Sequence, residues 1–132
     1  DPVQHLDAIF ALAERYGINH PGLLMVLEKM EATIEAPLDR QAMAKLAGIS
    51  PRHLDRLFSS LMGSSFLLEY RKLRLDHARR LLQQSPLSIS EIAFATGFSS
   101  AGHFARTYRA AFGEPPGAHR QSVVQTARIE LL

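Results

Sequence analysis

Residues 44–58, AKLAGISPRHLDRLF, and residues 93–108, AFATGFSSAGHFARTY, follow one plan about 50 residues apart. Ala44 matches Ala93, Gly48 matches Gly97 and Ile49 matches Phe98. One extra residue then enters the second turn, after which Ser50 matches Ser100, His53 matches His103, Leu54 matches Phe104, Arg56 matches Arg106, Phe58 matches Tyr108 and Gly63 matches Gly113. Each shared residue has a physical reason. A small Ala lets two helices cross closely, Gly lets the backbone turn left-handed, an apolar residue seals the turn from below, and Ser caps the next helix. The plan is that of a helix-turn-helix, in which a first helix braces a second that is free to enter a groove.

Outward from this repeat the pattern is helical throughout. Apolar residues recur at intervals of three and four, and sustained alternation of the strand type is absent. Leu6, Ile9, Phe10 and Ala13 form a stripe on a first helix that Gly17 stops, with Asp7, Glu14 and Arg15 on its other face. A second helix starts near Pro21 and runs through Leu23, Val26, Leu27, Met30 and Ile34 until Pro37. Asp39 caps a short third helix carrying Ala44 and Leu46, and Ser50 with Pro51 opens a fourth that Gly63 closes. From Ser64 to Gln84 one long helix is expected, with Phe66, Tyr70 and Leu73 on one face and Leu68, Leu75 and Leu82 on another, so that it packs between two bodies. Ser88 or Ser90 then caps a helix through Ile92 to Thr96, Ser100 caps one that runs to Phe112, and a short final helix follows Pro116.

The expected fold is therefore all-α: two helix-turn-helix subdomains joined by a long central helix, about seven helices plus an N-terminal connector helix. The divisions are residues 1–20 as connector, 21–63 as first subdomain, 64–84 as linking helix, 85–121 as second subdomain and 122–132 as tail. About 20 residues of helix span roughly 30 Å, close to the roughly 34 Å of one turn of B-DNA, so the two second helices can enter consecutive major grooves.

Charge separates along the chain. Residues 1–40 hold seven acidic and three basic side chains, whereas residues 41–132 hold twelve basic and six acidic ones, behind an unremarkable total of +2. The basic portion suits a polyanion. On the outward face of the second helices, Arg56 and Arg106 stand at equivalent places, where a guanidinium can fork onto guanine O6 and N7. Arg52 shares the first face and can read a base or a phosphate. Asp55 can accept from cytosine N4 or orient Arg52 through an i, i+3 pair, with orientation favoured. In the second unit Gly102 and Ala105 take those places, with Ala101 ahead and His103 between; the small residues allow close approach, to thymine methyls or to backbone. Arg71, Lys72, Arg79, Arg80, Arg109 and Arg120 are candidate phosphate contacts, as are the capping hydroxyls of Ser50 and Ser100.

Other classes fare worse. With no cysteine there is no disulfide framework or thiolate metal site, which is compatible with a reducing cytoplasm, and the six His show no ligand spacing. No cofactor is expected, no run of about 20 apolar residues points to a membrane, and the absence of a strained nucleophile motif, phosphate loop or carboxylate pair argues against an enzyme. A helical protein-interaction module with a basic face is the competing reading. The first residue is Asp1 rather than Met, so the chain is expected to be a fragment.

The string RLDHARRLLQQSPLSISEIAFATGFSSAGHFARTYRAAFGEPP, residues 74–116, resembles the signature of the DNA-binding domain of the AraC/XylS family of bacterial transcription regulators. The similarity includes Ile92-Ala93, Gly97-Phe98, Phe104, Tyr108 and the close from Gly113 to Pro116, and extends over about Pro21 to Gln121. It implies a seven-helix, two-unit domain that binds an asymmetric promoter site on double-stranded DNA and commonly activates through RNA polymerase. It implies base contacts at Arg52, Asp55 and Arg56 in the first unit and at Ala101, Gly102, His103, Ala105 and Arg106 in the second. The stretch before Pro21 is similar to a connector in members whose N-terminal effector-sensing domain resembles glutamine amidotransferases.

Overall fold

A glycine at positive φ ends the leading helix of each repeat copy, φ 70° at Gly48 and 80° at Gly97, a backbone shape that a side chain disfavours. Around these turns the computed structural model, which describes residues 2–121, has helices joined by short connections and no strand among the described residues. Its elements are α1 (Pro2–Tyr16), α2 (Pro21–Ala32), α3 (Arg40–Ala47), α4 (Pro51–Met62), α5 (Phe66–Gln84), α6 (Ile89–Ala95) and α7 (Ala101–Phe112). Residues 116–121 are helical as well. The expected tail, 122–132, lies outside the described residues.

The chain divides into two units, Asp1–Leu73 and Arg74 onward, with the division inside α5. The first unit buries Leu12 of α1, Leu23, Leu24, Val26, Leu27 and Met30 of α2, Met43 and Ala44 of α3, Leu54 and Phe58 of α4, and Phe66 and Tyr70 of α5. The Tyr70 hydroxyl is shared with the Thr33 hydroxyl and accepts from the Leu38 backbone N–H at 3.1 Å, tying α5 to the end of α2.

The second unit is built on Leu75, Ala78 and Leu82 of α5, Ile92 and Ala93 of α6, Phe98 in the turn, and Phe104 and Tyr108 of α7. Ser88, not Ser90, starts α6: its hydroxyl accepts from the Glu91 N–H at 3.0 Å, and the Glu91 carboxylate accepts from the Ser88 N–H at 3.1 Å. This reciprocal cap satisfies two backbone donors that the helix itself cannot, and its hydrogen bonds hold the Glu91 carboxyl below its ordinary range.

Four details differ from the periodic reading. Of the expected α1 stripe, Ile9 and Ala13 do pack on the core, joined by Leu12 and Tyr16, whereas Leu6 and Phe10 are 55% and 67% exposed. Leu46 is also outside the core, at 56% exposure. Helix α2 stops at Ala32, before Ile34, where the Thr33 hydroxyl binds the Lys29 carbonyl at 2.7 Å. Helix α5 begins at Phe66, with the Ser65 hydroxyl accepting from Leu68 N–H at 3.1 Å, and Leu68 is exposed. The two apolar sets of α5 are thus consecutive along its length, residues 66–73 serving one core and residues 75–82 the other.

Tyr108 is fully buried, and its hydroxyl hydrogen-bonds His119 Nδ1 at 2.6 Å. Burial pushes its phenol up to about 12 from an ordinary 10.0. A phenol that ionises more reluctantly when folded contributes stability that is complete below its unfolded pKa and is lost as pH rises through the folded one. In an alkaline titration followed at the phenolate absorbance, one component near pH 12 is expected, absent from Tyr108→Phe.

Candidate DNA interface

The two copies of the repeat superpose in chemistry as well as in sequence. Ala44 and Ala93 are both fully buried, as are Leu54 and Phe104, and Phe58 and Tyr108. The turns close with the same backbone bonds, Ile49 N–H to Ala44 O at 3.0 Å and Phe98 N–H to Ala93 O at 2.9 Å. The Ser50 hydroxyl accepts from His53 N–H at 3.0 Å and the Ser100 hydroxyl from His103 N–H at 3.1 Å, so both second helices start on the same cap. Each serine keeps its own O–H proton for another acceptor.

On α4 the outward face carries Arg52, Asp55 and Arg56, all exposed, while Leu54 and Phe58 anchor the opposite face. Arg52, Asp55, Arg56 and Ser59 line a shallow concavity completed by Gly63, Ser64 and Ser65. The expected i, i+3 pair between Arg52 and Asp55 is not formed. Asp55 instead accepts two bonds from Arg40 at the start of α3, Nε to Oδ1 at 2.9 Å and a terminal nitrogen to Oδ2 at 2.6 Å. The Arg40 hydrogen bond holds the Asp55 carboxyl below its ordinary range. A planar fork matching both carboxylate oxygens outcompetes a one-turn pair along the helix.

On α7 the outward residues are Gly102, His103 and Arg106, with Ala101 and Ala105 half-buried. The Arg106 guanidinium lies back along the helix toward Gly102, where a Cβ would meet it at 3.4 Å, an ordinary van der Waals contact. The His103 ring meets Phe98 edge-on at 5.5 Å, and His53 is half-buried. Arg71, Lys72, Arg79, Arg80 and Arg109 are exposed. Arg79 lies over the Phe112 ring at 5.0 Å. Arg80 donates to His77 Nδ1 at 3.3 Å, and burial, aided by the Arg80 charge, pulls His77 below its ordinary range.

Two arginines have other work. Arg120, expected at phosphate, donates to the carbonyls of Leu82 at 3.2 Å, Leu87 at 2.5 Å and Ser85 at 3.3 Å. It serves the Leu82 carbonyl in the last turn of α5 and two carbonyls of the loop that follows, which lack helical partners. Arg74 donates to the Thr96 and Gly97 carbonyls at 2.7 and 2.8 Å and covers the Phe98 ring at 4.3 Å, fixing the second turn. The sequence reading missed Arg40, which stands one residue after the Asp39 cap at the first position of α3.

No group of His, Cys, Asp or Glu suited to a metal ion exists among the described residues, and none of their helices is long and apolar enough to cross a membrane.

A protein-family profile described as "Helix-turn-helix domain" matches residues 43–122. A crystal structure of a transcriptional regulator from Chromobacterium violaceum, described as an AraC-type DNA-binding domain-containing protein, is similar with a TM-score of 0.75 and 43% identity, covering 80% of this chain and 94% of that one. The chain belongs to the AraC-type helix-turn-helix family of DNA-binding domains. Within this AraC-type family, the DNA-binding domain of AdpA, solved in complex with a target DNA, is similar with a TM-score of 0.74 and 31% identity, over 78% of this chain and 93% of that one. The HTH-type transcriptional regulator GlxA of Rhizobium meliloti (strain 1021) is 65% identical over 83% of this chain and 34% of its own length. The chain spans about a third of the length of the curated AraC-type relatives it matches. Sequence-specific binding of double-stranded DNA is accordingly the function of this domain.

Proposed function

We propose that the domain is the promoter-reading part of a longer cytoplasmic transcription regulator, an activator that works with RNA polymerase and joins its operator through α4 and α7 in consecutive major grooves. The observation carrying this reading is the pair of identically capped units that each hold an exposed arginine, Arg56 or Arg106, at the same helical position. The 19 residues of α5, about 28 Å of helix, are near the length of one turn of DNA. Arg52, Arg56 and Arg106 read bases, with Ala101, Gly102, His103 and Ala105 making a smooth surface for close approach. Ser50, Ser100, Arg71, Lys72, Arg79, Arg80 and Arg109 meet phosphates; Arg120 is released from that set, its donors being spent on α5. The relatives' greater length supports an N-terminal effector-sensing domain, of the kind similar to glutamine amidotransferases, joined through α1. The domain itself needs no cofactor for this work and is not an enzyme.

Selection from a pool of random duplexes, followed by a salt titration of the enriched site, tests the reading. A single asymmetric motif and a steep fall of affinity with salt are expected. A pool without enrichment overturns it, and salt-tolerant capture of acidic protein would favour an interaction module instead.

A further inference from the structure

Asp55 is the single acidic side chain on α4, one turn after Arg52 and next to Arg56. A free carboxylate there has two effects on a base-reading surface. It can pair with Arg52 at i, i+3 and occupy that guanidinium, and it repels the phosphates that the helix approaches. Neither arginine holds it. Both carboxylate oxygens accept from Arg40, which reaches across from α3 to α4. The two side chains are about half exposed, at 47% and 50%, where an ion pair adds little to stability. Stability is thus a weak reason for a bond of this geometry, and the neighbouring reading face is a stronger one.

We propose that Arg40 is a specificity-determining positioning residue: by engaging both oxygens of Asp55 it keeps the carboxylate off Arg52 and Arg56, leaving both guanidinium forks available to base edges. The inference rests on α4 being a base-reading helix. Arg40 itself touches no base in this scheme; it acts through Asp55. Lysine at position 40 supplies the charge but not the fork, so it restores affinity only in part.

The test compares the whole chain with its Arg40→Ala, Arg40→Lys and Arg40→Ala/Asp55→Ala variants, binding a fluorescent duplex of the selected site and a scrambled duplex across a salt series, with thermal unfolding alongside. Arg40→Ala should weaken the selected site about ten-fold, the size of losing one good base contact, with Arg40→Lys intermediate. Removing Asp55 as well should recover most of that loss, because the carboxylate that did the damage is gone. The salt slope should hardly change. If the double variant binds no better than Arg40→Ala, and the slope falls by about 0.9, Arg40 is a phosphate contact and the proposal is wrong. An unchanged affinity in Arg40→Ala overturns it too, as does a loss that follows thermal stability in every variant. Wild-type protein without preference for any duplex would refute the base-reading assignment beneath it, an outcome distinct from the others.

Discussion

Arg56→Ala is expected to cut the preference of the domain for its selected duplex over a scrambled one by about 5- to 150-fold, the equivalent of the roughly 1 to 3 kcal/mol that one bidentate base contact discriminates. The expectation follows from where Arg56 stands. Leu54 and Phe58 on either side of it in sequence are fully buried, so the helix cannot roll and the guanidinium is held outward. Its neighbour Asp55 is engaged by Arg40, leaving no acid on its own helix to take it. Binding of scrambled DNA, which depends on charge, should fall much less. The equivalent change on α7, Arg106→Ala, should lower affinity with less loss of preference, since glycine and alanine around it offer no hydrogen bonds to bases. Competition binding with selected and scrambled duplexes measures both ratios; an unchanged ratio in Arg56→Ala would remove α4 from the reading surface.

Phe104→Ala should destabilise the second unit by about 3 to 5 kcal/mol. Phe104 is fully buried and lies between the rings of Phe98 at 5.2 Å and Tyr108 at 5.7 Å, so truncation leaves a cavity among rigid aromatic neighbours that cannot collapse into it. A loss of that size is a large part of the stability of any small domain. A fall in melting temperature above about 12 °C is expected for that half of the chain, readable as early loss of hydrogen-exchange protection in α6 and α7. Selected-site binding should fall with it. Retention of protection in α7 would mean that the second core is not organised around this ring.

The features legible in advance were those written into neighbouring residues. Caps at Ser50, Ser88 and Ser100 and the left-handed turns at Gly48 and Gly97 depend on bonds three to five residues apart, so their residue types state them directly. The repeat supplied what periodicity cannot, namely which residues of the second helices face outward. What escaped was decided between elements. Arg40 meets Asp55 across fifteen positions and Arg120 meets Leu82 across thirty-eight, and nothing in an arginine says whether its donors will find a carboxylate, a helix end or a phosphate. The α1 stripe packs inward at Ile9 and Ala13 but not at Leu6 and Phe10 for the same reason: Phe10 and Leu12 are both apolar, and the choice between them belongs to the surface of α2.

The division within α5 has a consequence for how such proteins can be rearranged. Phe66, Tyr70 and Leu73 of that helix belong to the first core, and Leu75, Ala78, Leu81 and Leu82 to the second, while Arg74 carries its carbonyl contacts with the latter half. A join at Leu73 and Arg74 would therefore leave each buried apolar residue of α5 on the piece whose core it serves. Halves of two related domains spliced there would each keep their own buried cluster, so new pairings of helix-turn-helix units can arise by recombination at one point in a gene.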